Sequence, residues 1–208
     1  MKHLLVSALL IWYALFFFIM GMNPVDSQNW IFANILPILF VGFLTITYHA
    51  LPFSSTSYLL FSFFLTLHTI GAHYTYAQTP VGEWIEDFLH LPRNNFDRIV
   101  HFCFGLLLAY PFNELFGKIK GIPSWLRTYL VFMTLIGLAG IWEILESWFA
   151  RIVHPGLGQA FLGAQGDIWD AQKDMAATMY GALLCLSFMI LIRKVQKPLS
   201  CFRAERLI

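Results

Sequence analysis

Apolar residues run along this chain in six long stretches, Leu4–Met22, Ile31–Ala50, Ser57–Tyr76, Ile99–Phe116, Trp125–Ala150 and Met175–Ile192. Each is close to the ~20 residues that a helix needs to cross a bilayer. None alternates with the period of a half-buried strand, and hydrocarbon offers unpaired backbone groups no partner. The pattern therefore predicts an all-α polytopic membrane protein, a single domain at 1–208 built as a bundle of six transmembrane helices. The fifth stretch is long enough to tilt or to project beyond the hydrocarbon.

One further element is predicted between the third and fourth stretches. Val81, Trp84, Ile85, Phe88 and Leu89 fall at i, i+3, i+4, i+7 and i+8, the spacing of an amphipathic helix that lies on the membrane surface as a lid.

Composition supports the membrane reading: 58% of the 208 residues are hydrophobic and 12% are charged, with 21 phenylalanines. The first stretch follows Lys2, as a secretory signal would, but it is too long and "FIMGMNPVD" contains no small-x-small cleavage site, so a retained anchor is expected. Cys103 and Cys185 fall inside spans and Cys201 follows the last one; without C-x-x-C spacing they suggest neither a zinc knuckle nor a disulfide framework.

A formal net charge of +1 hides an asymmetry. With the N-terminus inside, Lys2, Lys118, Lys120, Arg127, Arg193, Lys194, Lys197, Arg203 and Arg206 share one side, against Arg93, Arg98, Arg151 and Lys173 on the other. The positive-inside rule then puts both termini in the cytoplasm. The basic tail is a topology signal beside anionic lipid, and nothing indicates nucleic acid.

This topology gathers the polar residues. His73, Asp97, His101, Glu143, Glu146, Asp167, Asp170 and Asp174 all fall in the outer half. "FDRIVHF" spaces Asp97 and His101 by four, "IWEILESW" spaces Glu143 and Glu146 by three, and Asp170 and Asp174 are again four apart, so each pair shares a helix face. Glu143 sits roughly 12 Å inside Arg151 at the helical rise, below the head groups. Ionisable groups at that depth cost ~2.5–3.5 kcal/mol each on insertion, so several together indicate a site.

The plainer readings are a structural salt-bridge cluster with Arg98, Arg151 and Lys173, and, for Asp167, a solvated helix start. His3, His49, His68, His90 and His154 have no acidic partner at helical spacing and read as packing or interfacial residues. Asn94 and Asn95 read as an N-cap, and Arg93 as a loop cation able to meet an anion.

"GAHYTYA", "FDRIVHF", "WEILE" and "LGAQGDIWDAQKDM" resemble the uncharacterised bacterial inner-membrane family typified by YjdF, over nearly the whole chain. More distantly, Asp97, His101, Phe102, Glu143, Asp174 and Gly181 resemble VanZ-like membrane proteins, which implies a part in envelope stress. Where that pattern has Lys, Gln and Asn, this chain has Arg98, Glu146 and Thr178.

Up to six carboxylates with two histidines suit a divalent metal such as Zn, Mn, Mg or Fe. The expected ligands are Asp97, His101, Glu143, Asp170 and Asp174. Glu146 is expected as a further ligand or a catalytic acid–base group, His73 as a ligand or proton carrier, and Arg98 as an anion contact. Such a site would act on a lipid-linked or phosphorylated envelope substrate, with membrane lipid as the partner. Gly156, Gly158, Gly163 and Gly166 form a loop whose N–H groups could approach a phosphate. Two further readings stay open, a non-catalytic lipid-binding accessory protein and a proton-coupled transporter.

Overall fold

A computed structural model describes residues 2–152 and 165–204, with side chains up to residue 195. The described residues form seven helices and no strand: α1 (Lys2–Met20), α2 (Ser27–Ile46), α3 (Ser55–His73), α4 (Pro80–Leu89), α5 (Phe96–Gly117), α6 (Ser124–Ile152) and α7 (Asp170–Ala204). Five of them, α1, α2, α5, α6 and α7, are long and apolar enough to cross a membrane. The third, α3, has the same 19-residue length as α1 but buries Ser57, His68 and Thr69 in the bundle.

Local signals set the helix starts. Asp26 caps α2 by accepting from the Asn29 N–H at 2.7 Å, and Ser54 caps α3 by accepting from that of Ser57 at 3.2 Å. Pro80 occupies the first turn of α4, where its missing N–H costs nothing, and His90 ends that helix in a left-handed conformation. These caps move α2 upstream of the apolar stretch 31–50, whose last residues form a turn instead. Similarly, α3 ends at His73, because Thr75 and Tyr76 adopt positive φ.

The bundle has two halves. In one, α3 packs against α1 and α2; in the other, α5 packs against α6 and α7, and α6 against α7. The α3–α5 interface joins them. At the end where α3 starts and α5 finishes, a core of Phe53, Phe61, Leu108, Val131, Leu135 and Leu186 is sealed by Glu114 of α5, which accepts from Ser54 and Ser57 at the start of α3. Meanwhile α1 faces outward with Ile11, Leu15, Phe18 and Ile19, as lipid contact requires.

The tightest approach is between α5 and α7. A Cβ on Gly105 would lie 2.0 Å from the Thr178 carbonyl oxygen, and one on Gly181 2.0 Å from that of Phe102. Only glycine lets two helix backbones meet so closely, and this contact sets α5 and α7 side by side at the polar end of the bundle.

Helix α4 forms as expected, and its apolar residues are not packed on the protein: Trp84 is 71% and Phe88 83% exposed. The helix is tied down on its other side, where Gly82 lies against Asn94 and the Asn94 amide donates to the Thr79 carbonyl at 3.1 Å. The same Asn94 accepts from the Phe96 N–H at 3.0 Å, while Asn95, at the formal cap position, makes no capping bond.

Candidate functional site

Three helix ends converge at one face of the bundle, α5 bringing Asp97 and His101, α6 bringing Glu143 and Glu146, and α7 bringing Asp170 and Asp174. Their carboxylates separate into two layers with different partners.

The outer layer is a network of ion pairs. Asp170 accepts from Arg93 and, at 3.2 Å, from Arg98; Arg98 also reaches Asp167 at 2.5 Å, and Asp167 accepts from Lys173 at 2.6 Å. Lys173 and then the Trp169 N–H and Arg98 hold the Asp167 carboxyl down at about 2. Gln165 clamps the start of α5, donating to the Asn94 carbonyl at 2.9 Å and accepting from the Asn94 N–H at 3.1 Å. Asp170, expected as a metal ligand, is thus held by two guanidiniums. Arg93, expected as a loop cation, is 5% exposed and part of the site.

The inner layer has far less cationic compensation. Asp97, Glu146 and Asp174 are buried, and the Glu143 side chain is only 10% exposed. His101 Nε2 lies 3.3 Å from Glu143 Oε1 and 3.7 Å from Asp97 Oδ1. Asp97, His101 and Asp174 each offer a ligand atom within 4.8 Å of the others. Glu146 lies within electrostatic reach of Asp97, Glu143 and Asp174, with the Trp142 side chain as its hydrogen-bond partner. Arg98 Nε faces Asp174 Oδ1 across 3.9 Å, and neither atom forms a hydrogen bond; nor does Glu143 Oε1.

Donor and acceptor counting fixes the orientation of His101. The Thr178 hydroxyl donates its one proton to the His101 carbonyl at 3.1 Å, so the same oxygen can only accept from Nδ1, at 3.4 Å. With the ring proton on Nδ1, Nε2 turns its lone pair toward Asp97 and Glu143. Several acceptors aimed at one buried point need protons or a cation between them. A histidine fixed through Nδ1 and offering Nε2 beside carboxylates is the arrangement that metal sites use.

A second histidine joins the site that sequence spacing did not single out. His68 Nε2 donates to the Ala33 carbonyl at 3.0 Å, which leaves Nδ1 to accept from the Tyr76 hydroxyl at 2.9 Å. His68, Tyr76, Asp97 and His101 line one cavity. Of this pair only Tyr76 falls within "GAHYTYA", since the pairing spans the end of α3 and its turn.

His73 is not part of this constellation. Its Nδ1 lies 2.6 Å from the Met20 carbonyl and its ring stands edge-on to Trp30, so it closes the end of α1 against α2 and α3. Arg151 is exposed at the end of α6. Of the glycine-rich loop, Gly156, Gly158 and Gly163 lie outside the described residues, as does His154. Gly166 has φ +86, in a turn before α7.

Membrane-length helices around a buried cluster of carboxylates and a histidine define a multi-pass membrane protein. Residues 5–195 match the family described as "Predicted membrane protein (DUF2238)", and the chain belongs to that family. It is similar to the "Inner membrane protein YjdF" of Escherichia coli (strain K12), 30% identical over 172 residues, which cover 81% of each chain. No solved structure matches it.

Proposed function

We propose that the inner layer binds one divalent cation through Asp97, His101 and Asp174, with Glu143 beside them, and that the site performs metal-assisted chemistry on a lipid-linked, phosphorylated substrate. The observation that carries this reading is the Nε2 lone pair of His101 among carboxylate oxygens, two of which accept no hydrogen bond. One histidine with two or three carboxylates suits Mn, Zn or Fe, and such an ion polarises a phosphoryl oxygen or activates water. Glu146, buried behind this set, is placed to hold a proton, and Arg98 Nε has a donor to offer an anionic oxygen.

The proposed location follows the relative's name, an inner membrane, with both termini in the cytoplasm and the site toward the outer side. The nine-to-four distribution of Lys and Arg supports that orientation.

Thermal unfolding of the purified protein with and without Mn2+ or Zn2+ tests the cation. An ion that binds only the folded state stabilises it by about 2.7 kcal/mol at a hundredfold excess over its Kd. The wild type should gain this and Asp174→Asn should lose most of it. Failure of the wild type to respond to any divalent ion would sink the reading. A purely structural cluster would instead lose several kcal/mol in Asp174→Asn with no ion effect in either protein.

A further inference from the structure

Beneath the polar cluster runs a cavity of about 310 Å3. Its upper wall carries His68, Tyr76, Asp97 and His101; its lower wall is Phe104, Leu108 and Phe112 of α5, Leu138 of α6, and Leu36 and Phe40 of α2. From Asp97 to Phe112 along α5 it descends about 22 Å at the helical rise. A slot with an apolar lining over that length suits a chain of methylenes. Polarity is confined to its top.

The slot also has an opening. α2 packs on α3, and α6 packs on α5 and α7, but α2 and α6 share no packed interface along the slot. They meet at one end, where Phe32 and Phe149 stack at 3.8 Å and Trp142 packs against the cluster of Trp30, Ala33 and Ala72. Below that bridge three lining residues are themselves exposed on the outer surface of the bundle, Leu36 at 42%, Leu138 at 40% and Ile141 at 52%. The gap lies between two membrane-length helices, so hydrocarbon is what stands against it. Pro37 also lines it; a proline within a membrane helix frees a backbone carbonyl and allows a bend at the mouth.

We infer that this slot holds one hydrocarbon chain of a lipid that enters sideways between α2 and α6, with an anionic phosphate head against the Asp97–His101–Asp174 cluster. The inference names the substrate class of the proposed site and rests on that reading for the head group alone. The chain's place follows from the cavity. Burial of apolar chain grows with each methylene removed from water, so a slot this deep holds such a lipid by its chain. Trp142, edge-on to His68 at 5.7 Å, stands at the boundary between slot and cluster.

The test uses the purified full chain and a single-chain alkyl phosphate carrying a diazirine midway along its chain, photolysed with Mn2+ and with chelator. Adducts should map to Phe104, Leu108 and Leu138. Ala139→Phe, which fills the slot from its buried wall, should abolish them, and so should Leu138→Trp, which blocks the half-exposed mouth and spares the core. Adducts spread over lipid-facing residues such as Ile11 and Leu39, and unchanged in both variants, would overturn the inference. Slot adducts that persist in chelator, from a protein whose stability ignores every divalent ion, would uphold the chain site and reject the cation reading. Loss of slot adducts in wild type with an intact cation response would do the reverse.

Discussion

Changing Gly181 to alanine should damage the site without touching any of its polar residues. The added Cβ would meet the Phe102 carbonyl oxygen at 2.0 Å, and its other near neighbours are the Leu106 nitrogen at 2.8 Å and the Phe102 carbonyl carbon at 3.0 Å, all backbone. No side chain can turn aside. Contacts under 3.0 Å essentially never occur, so α5 and α7 must separate by at least about 1 Å, and overpacking of that kind costs roughly 1–3 kcal/mol. Asp174 lies two helical turns from Gly181 on α7, and His101 and Asp97 lie within two turns of Phe102 on α5, so the separation passes directly into the Asp97–His101–Asp174 spacing. It also breaks the Thr178 bond that orients His101. Cation sites tolerate misplacement of only about 0.5 Å. The measurement is thermal unfolding with and without Mn2+ for Gly181→Ala beside Gly137→Ala, where an added Cβ meets nothing within 4 Å. Gly137→Ala should keep the ion-induced shift and gain up to about 1 kcal/mol of helix propensity. Gly181→Ala should lose stability and most of the ion response. If both variants behave like wild type, the close backbone contact does not set the site.

Two further outcomes follow from the outer layer and the charge pattern. Because Lys173 and its neighbours depress Asp167 to about 2, its contribution to stability is complete above the ordinary carboxylate range and disappears as the pH falls through that value; Asp167→Asn should therefore be less stable than wild type at neutral pH, show a flatter stability profile between about pH 4 and pH 2, and converge with wild type at the acid end. A reporter fused after Ile208 should be cytoplasmic and one placed in the 156–166 loop external, as scored by compartment-specific activity; the opposite result would put the cluster on the cytoplasmic side.

Sequence periodicity was enough to place the long helices, because hydrocarbon imposes one requirement, a satisfied backbone under an apolar surface, that each segment meets locally. Pairs within one helix were equally legible: Asp97 with His101 and Glu143 with Glu146 share faces by spacing alone, and the structure sets those faces against each other. Which carboxylate does what was not legible. Asp170 and Asp174 have the same spacing and chemistry, yet Asp170 meets Arg93 and Arg98 while Asp174 points inward with an oxygen unpaired, a difference decided by where the loop before α5 folds. His73 and His68 exchange their expected places for the same reason. His73 falls at the turn beside Met20, whereas His68, one and a half turns earlier, faces α5 and Tyr76. The slot between α2 and α6 had no sequence signature, since apolar residues that line a cavity and those that face lipid are the same kinds of residue. Only the tertiary arrangement separates them, because a cavity is defined by which helices fail to touch.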